Sequence, residues 1–268
     1  MQKIVDWFKD ILFPPFCVSC DKLLSLGTTV PLCQACLNKW ELEKKTLCPE
    51  CHREHIRCEC IPPILKGTVS GSYHLARYPK WDCVAKKMIL NAKNNPYTYL
   101  FRFQADELAD LIRSQKWIDS QTVICYAPRD PEKIRSTGVD QARLTASLLS
   151  KRLSLPLVHA FVRKKGLSQK DLHVHERLEN ARGVYRVREG VESLLIGKKV
   201  ILYDDVLTTG STLLVLSDLL LKLGVSKIIV LTIGRTIKEK SMKDQEISEE
   251  EDLEDCMENF SYEDEFGE

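Results

Sequence analysis

The chain has no run of about eighteen consecutive apolar residues, so no membrane-spanning helix is predicted. Its opening apolar stretch, Ile4 to Phe13, is interrupted by Asp6, Lys9 and Asp10, which excludes the core of a signal peptide. A short amphipathic helix presenting Ile4, Trp7, Phe8 and Ile11 is expected there instead, and without an export signal the protein is expected in the cytoplasm. Neither G-x-x-x-x-G-K-[ST] nor G-x-G-x-x-G occurs, which removes the two common glycine-rich nucleotide loops. Lys and Arg are missing from Asp244 to Glu268, where thirteen acidic residues stand. Residues 1–243 are left with 39 basic against 25 acidic residues, a net of +14 that attracts polyanions. The acidic segment has few large apolar groups, so residues 238–268 are expected to form a disordered tail, one that could compete electrostatically for the basic body.

What is present begins with cysteine. Eight of the eleven lie within residues 17–60, in four close pairs: Cys17/Cys20, Cys33/Cys36, Cys48/Cys51 and Cys58/Cys60. Such clustering in a chain with no export signal points to thiolate ligands rather than disulfides, because cytosolic thiols stay reduced. Tetrahedral Zn²⁺ takes four thiolates, and the spacing from Cys20 to Cys33 is that of a zinc ribbon, so residues 1–62 are read as a zinc-ribbon segment that needs metal to fold. The second site closes on a C-x-C pair, with His52 and His55 nearby as substitute ligands. Pairing in sequence order is the default, and a cross-braced arrangement of Cys17/Cys20 with Cys48/Cys51 stays open on spacing alone. Both sites are structural in kind, since four thiolates leave no position for water. Cys83, Cys125 and Cys256 stand alone and carry no assigned role.

Residues 63–237 read as an α/β domain with a parallel sheet flanked by helices, because strand and helix patterns alternate from residue 120 to 235. A strand is predicted over Val69–Leu75, a helix over much of Trp81–Ala92, a helix over Ala105–Lys116, and a central strand over Val123–Ala127. A further strand is predicted over Leu157–Phe161, followed by the basic run Arg163-Lys164-Lys165, and the last strand over Lys227–Ile233; the polar stretch from Gln169 to Asn180 is read as contributing little core. Between the strand Val200–Tyr203 and the helix Leu213–Leu223 lies a loop read as Asp204 to Thr212. Backbone N–H groups at a helix start, with the hydroxyls of Thr208, Thr209, Ser211 and Thr212 around Gly210, suit a phosphate. Asp204 and Asp205, at the carboxyl end of the strand, suit the 2′- and 3′-hydroxyls of a ribose, and their charge favours Mg²⁺. Arg129, at the end of another strand, is placed to meet a pyrophosphate oxygen.

The segment Val200–Thr212 resembles the phosphoribosyl pyrophosphate (PRPP) motif of type I phosphoribosyltransferases. Together with the cysteine pairs, Arg135-x-x-Gly138-x-x-Gln141 and Gln169-x-x-Leu172-x-x-x-x-Arg177-x-x-Asn180, it resembles the ComF family from about the first cysteine to Arg235. The resemblance implies zinc fingers joined to a phosphoribosyltransferase-like domain. It also implies a part in natural transformation, where imported single-stranded DNA is handled inside the cell and a helicase-like competence ATPase is an expected partner. It implies Mg–PRPP as ligand, Asp204 and Asp205 as catalytic residues, and Arg129, Arg135 and Arg177 as candidates for the pyrophosphate or substrate. Whether PRPP is transferred to an acceptor or only bound is left open. A nucleic-acid adaptor would use the basic body and some of Tyr73, Tyr78, Trp81, Tyr97 and Tyr99 as stacking surfaces; a salvage phosphoribosyltransferase would not require the fingers.

Overall fold

Along the strand Thr122–Tyr126, Val123 and Cys125 pack into one apolar cluster while Ile124 and Tyr126 pack into another. Side chains alternate across a strand, so the two clusters are the two covered faces of one sheet. The computed structural model describes residues 14–79, 81–95, 97–113, 115–164 and 174–237, without the side chains of 174–177. The predicted N-terminal helix, Lys165, Gln169 to Leu172, Cys256 and the acidic tail lie outside the described residues. The chain divides into two units, Met1–Thr236 and Ile237–Glu268, and the sheet with its covering helices belongs to the first.

Among the described residues the strands are β1 (Gly71–Arg77), β2 (Thr122–Tyr126), β3 (Phe161–Arg163), β4 (Tyr185–Val187), β5 (Lys199–Leu207) and β6 (Lys227–Arg235). The helices are α1 (Gln34–Lys45), α2 (Val84–Asn94), α3 (Thr98–Arg113), α4 (Pro131–Thr137), α5 (Gln141–Leu153), α6 (Val174–Val184), α7 (Glu192–Leu195) and α8 (Ser211–Lys222). The sheet runs β1-β6-β5-β2, and every pairing in it is parallel. Helices α2, α3 and α5 cover one face through residues such as Met88, Ile112 and Leu149. Helices α6 and α8 cover the other through Ala181, Val184, Leu216 and Leu220.

Four expectations change. The strand predicted at Val123–Ala127 stands at an end of the sheet rather than its centre; it looks central because both faces are covered and Leu157 bridges Ile124 on its outer side. Of the strand predicted at Leu157–Phe161, only that bridge joins the sheet, and Phe161 instead begins β3. Ile124 donates to the Pro156 carbonyl and Val158 to that of Ile124, after which the chain turns away to build the antiparallel β3–β4 pair. The predicted loop at Asp204 is still strand, because β6 runs alongside and pairs Leu207 with Arg235. The polar segment around Asn180, read as contributing little core, is α6, and it buries Ala181 and Val184.

The cysteine-rich segment is built into this frame. Helix α2 begins where it does because the Glu43 carboxylate, from α1, accepts from the Val84 and Ala85 amides at 2.7 and 2.9 Å, satisfying two donors of the helix start. Trp40 Nε1 and Lys44 Nζ of α1 both donate to Glu107 of α3, at 2.9 and 2.6 Å.

Candidate functional site

Strand alternation separates the two acids of β5. Asp205 faces the α2/α5 side, where its Oδ2 accepts from Gln141 Nε2 at 3.2 Å and meets Lys93 Nζ at 3.0 Å. Asp204 faces the β3–β4 side, within the field of Arg163, and its Oδ1 accepts from the Asp205 amide at 2.9 Å. Burial, and next the neighbouring charge of Asp205, push the Asp204 carboxyl up to about 8. Burial works against the Lys93 ammonium, yet the charge and hydrogen bond of Asp205 outweigh it and raise Lys93 above the ordinary lysine range.

After Leu207 the chain leaves the sheet through Thr208 and Thr209 and enters α8 at Ser211. Gly210 takes φ +83° as the residue before the helix, a conformation that suits glycine. A Cβ there would also lie 2.6 Å from Ile64 Cγ2, so the glycine is required twice over. Thr209 Oγ1 and Ser211 Oγ stand 3.1 Å apart, curling the hydroxyls around the helix start. The whole stretch Asp204–Leu213 lines a cleft of about 610 Å³, shared with Lys93, Arg129, Gln141, Arg163 and Tyr185. That is the size of a pocket for a nucleotide-like ligand.

The arginines nominated from sequence fare differently. Arg129 lines the cleft, but its Nη1 is engaged by the carbonyls of Lys93 (2.6 Å) and Val139 (3.0 Å) and by Thr137 Oγ1 (3.2 Å), which makes it a brace between α2 and the start of α5. Arg135 is exposed and outside the cleft lining; its Nε donates within its own helix to Pro131 at 3.4 Å. The side chain of Arg177 lies outside the described residues. In their place the structure brings two cations that sequence reasoning did not select. Lys93, on the last turn of α2, carried no local signal. Arg163 was visible only as one member of a basic run; its guanidinium lies over the Tyr185 ring, 5.5 Å from the centroid, and 3.4 Å from Asp130, and its buried Nε has no hydrogen-bond partner among the described residues.

The acid pair as it stands is a poor cage for a divalent ion. One oxygen of Asp205 already takes an ammonium and an amide, and one oxygen of Asp204 takes a backbone N–H. The cysteines are the reverse case. Cys17, Cys20, Cys33 and Cys36 form one group and Cys48, Cys51, Cys58 and Cys60 another, each with all four sulfurs within 4.8 Å of one another. A tetrahedral ion with sulfur ligands at about 2.3 Å sets the sulfurs about 3.8 Å apart. The Cys20–Cys33 and Cys51–Cys58 sulfurs are each 3.7 Å apart. Burial pushes the thiols of Cys36 and Cys60 up to about 12, so a cation is needed to hold them as thiolates. The grouping is in sequence order, not cross-braced. His55 does not substitute for a cysteine; it is buried with Nδ1 at 3.0 Å from His74 Nε2 of β1.

A family model described as the phosphoribosyl transferase domain matches residues 140–264. Competence protein F of Haemophilus influenzae is 30% identical over 187 residues, which span 60% of this chain and 76% of that protein. A hypoxanthine/guanine phosphoribosyltransferase of Methanosalsum zhilinae is 29% identical over 136 residues, 50% of this chain and 67% of that one. Among solved structures, adenine phosphoribosyltransferase from Leishmania tarentolae aligns with 55% of this chain and 74% of its own at 14% identity and a TM-score of 0.35, a likeness too weak to bear on site or activity.

Proposed function

The chain belongs to the competence protein F (ComF) family, and on that premise we propose that it binds PRPP with the 5-phosphate in the Thr208–Thr212 cradle and the ribose against Asp204 and Asp205. The observation that carries this reading is that the acids and the hydroxyl loop, contiguous in sequence, open onto one 610 Å³ cleft. Backbone amides at the start of a twelve-residue helix and the surrounding hydroxyls favour a phosphate dianion. Asp204 and Asp205 orient the ribose hydroxyls, and the charge of Asp205 beside the sugar stabilises an oxocarbenium-like centre at C1 as a leaving group departs. Arg163, which lines the same cleft, is the chain's own cation for that leaving group. Transfer and simple binding share this geometry. Titration calorimetry of PRPP tests the site: heat of binding that disappears in Asp204→Asn/Asp205→Asn is expected, and equal binding by wild type and double variant would reject it. Pyrophosphate release measured with a panel of bases and oligonucleotides then separates transfer from binding.

The thiolate clusters are proposed to hold one structural Zn²⁺ each, with no water position for chemistry. A second role, contact with single-stranded DNA during natural transformation, is supported by the +14 charge of residues 1–243 and by one aromatic in particular. Trp81 is 56% exposed, with the Arg77 guanidinium 5.1 Å from its ring centroid. Tyr73, Tyr78, Tyr97 and Tyr99, the other aromatics considered for stacking, pack with the core. Oligonucleotide affinity that falls steeply with salt and weakens by about tenfold in Trp81→Ala is expected; salt-independent affinity would remove the phosphate contacts.

A further inference from the structure

The acid pair comes with a cation of its own. Lys93 Nζ lies 3.0 Å from Asp205 Oδ2, and Gln141 Nε2 donates to the same oxygen at 3.2 Å. The lysine is not a mobile surface group that has drifted inward. It sits in the last turn of α2, and its backbone carbonyl accepts the 2.6 Å hydrogen bond from Arg129, whose other bonds reach Thr137 and Val139. Arg129 therefore ties the end of α2 to the chain entering α5, the helix that carries Gln141. Two helices on one face of the sheet are braced so that an ammonium and an amide converge on one carboxylate oxygen.

We propose that Lys93 is the resident cation of the acid pair, so that the ribose end of the ligand is held at Asp205 without Mg²⁺. A divalent ion would have to displace the lysine and the glutamine from that oxygen, or sit beside an ammonium that repels it. A ribose hydroxyl needs neither change, because a carboxylate oxygen that already accepts two hydrogen bonds leaves its partner oxygen for the sugar. Lys93 balances the charge of Asp205 in the low-dielectric cleft and, with Gln141, fixes that carboxylate in place as an acceptor. Mg²⁺ can still accompany a pyrophosphate group, at the other end of the ligand.

The assignment rests on the proposed sugar-phosphate site, and ribose 5-phosphate separates the two because it carries no pyrophosphate to bring its own metal. Binding is measured by titration calorimetry in buffer freed of divalent ions by resin, since a soluble chelator would strip the cysteine clusters, and again with millimolar Mg²⁺. Wild type is expected to bind with affinities within about threefold in the two buffers, and Lys93→Met to lose about tenfold in the Mg²⁺-free buffer and to recover most of it when Mg²⁺ is added, a charge-assisted contact being exchanged for an ion. Lys93→Arg, which keeps the charge, is expected to stay independent of Mg²⁺. Thermal unfolding of each variant confirms that a folded protein is being titrated, and the conservative variant keeps the test open if Lys93→Met is unstable. Wild-type binding that needs Mg²⁺ overturns the role of Lys93 and leaves the ligand standing. So does a loss in Lys93→Met that Mg²⁺ does not restore. No binding by wild type in either buffer removes the sugar-phosphate site and this assignment together.

Discussion

The two cysteine clusters have the same ligand chemistry and different attachments. Around the first, Asn91 Nδ2 and Lys87 Nζ of α2 donate to the Val18 and Ser19 carbonyls at 2.9 and 3.0 Å, and Trp40 and Lys44 hold α1 to Glu107 of α3. Its sulfurs are backed by the apolar cluster that includes Cys17, Cys36 and Trp40. The second is bound to the carboxyl end of the sheet. Arg235, 2% exposed at the end of β6, donates to the Cys60 carbonyl at 2.8 Å and to Glu50, between Cys48 and Cys51, at 2.6 Å. Four residues beyond Cys60, Ile64 lies against Gly210 in the proposed cradle. A set of four cysteines says what an ion sees; what the ion organises depends on the segment leaving the set. The first cluster clamps helices, and the second supports the cleft.

The largest test of that contrast removes one ligand from each cluster. Cys58→Ser is expected to lower ribose 5-phosphate affinity by more than about tenfold along with metal content, because the segment to Ile64 loses its anchor. Cys20→Ser is expected to lower metal content and thermal stability while the folded fraction binds within about threefold of wild type. Equal losses of affinity from both, measured by calorimetry with metal analysis, would erase the distinction.

Cutting the tie without touching a cysteine is the next largest. Arg235→Met leaves Glu50 and the Cys60 carbonyl without their donor and is expected to cost about 2 kcal/mol by denaturant unfolding, less than a fully buried pair because Glu50 is 40% exposed. Gly210→Ala should cost about 1–3 kcal/mol, from its left-handed backbone and the close approach of Ile64. Adding Ile64→Ala should recover the steric part of that cost and leave about 1 kcal/mol. A double variant no better than Gly210→Ala would show that Ile64 does not press on the cradle.

The smallest effect is one of pH. Burial first, then the charge of Arg77, lowers His55 to about 4, and burial lowers its partner His74 well below the usual histidine range. Both are therefore neutral in the folded protein and take up protons more readily when unfolded. The stability they supply is complete above pH 6.5 and is lost as pH falls from 6.5 toward 4. The first cluster has no such pair in contact with it among the described residues. Hydrogen exchange at mildly acid pH should accelerate around His55 and His74 before it does around Cys17 to Trp40, and the opposite order would count against the pair.

The features legible in the sequence were those whose partners are close along the chain. Strand, acids, hydroxyl loop and helix follow one another within Val200–Thr212, and the cysteines fall in close pairs, so spacing conveyed both, while the grouping of those pairs in sequence order was settled by the fold. The β3–β4 pair was missed because each strand has three residues and their partners are some two dozen residues apart. The end of β5 was placed too early, since its last ladder pairs depend on β6 being present alongside. Arg129 looked like a ligand contact because it follows a strand, yet the carbonyls that occupy it belong to α2 and to the turn before α5.

From the sequence alone came the parts of the proposed site, a hydroxyl-bearing helix start beside two acids, and the close pairs of cysteines. These are properties of short-range spacing, which backbone geometry converts directly into position. The tertiary structure alone decided which cations face those carboxylates and which cluster stands behind the cradle. Lys93 meets Asp205 across more than a hundred residues, and Arg235 meets Cys60 across 175. Such contacts are set by how helices and strands pack, and a charged residue on one turn of a helix carries no local mark of the partner that packing will bring to it.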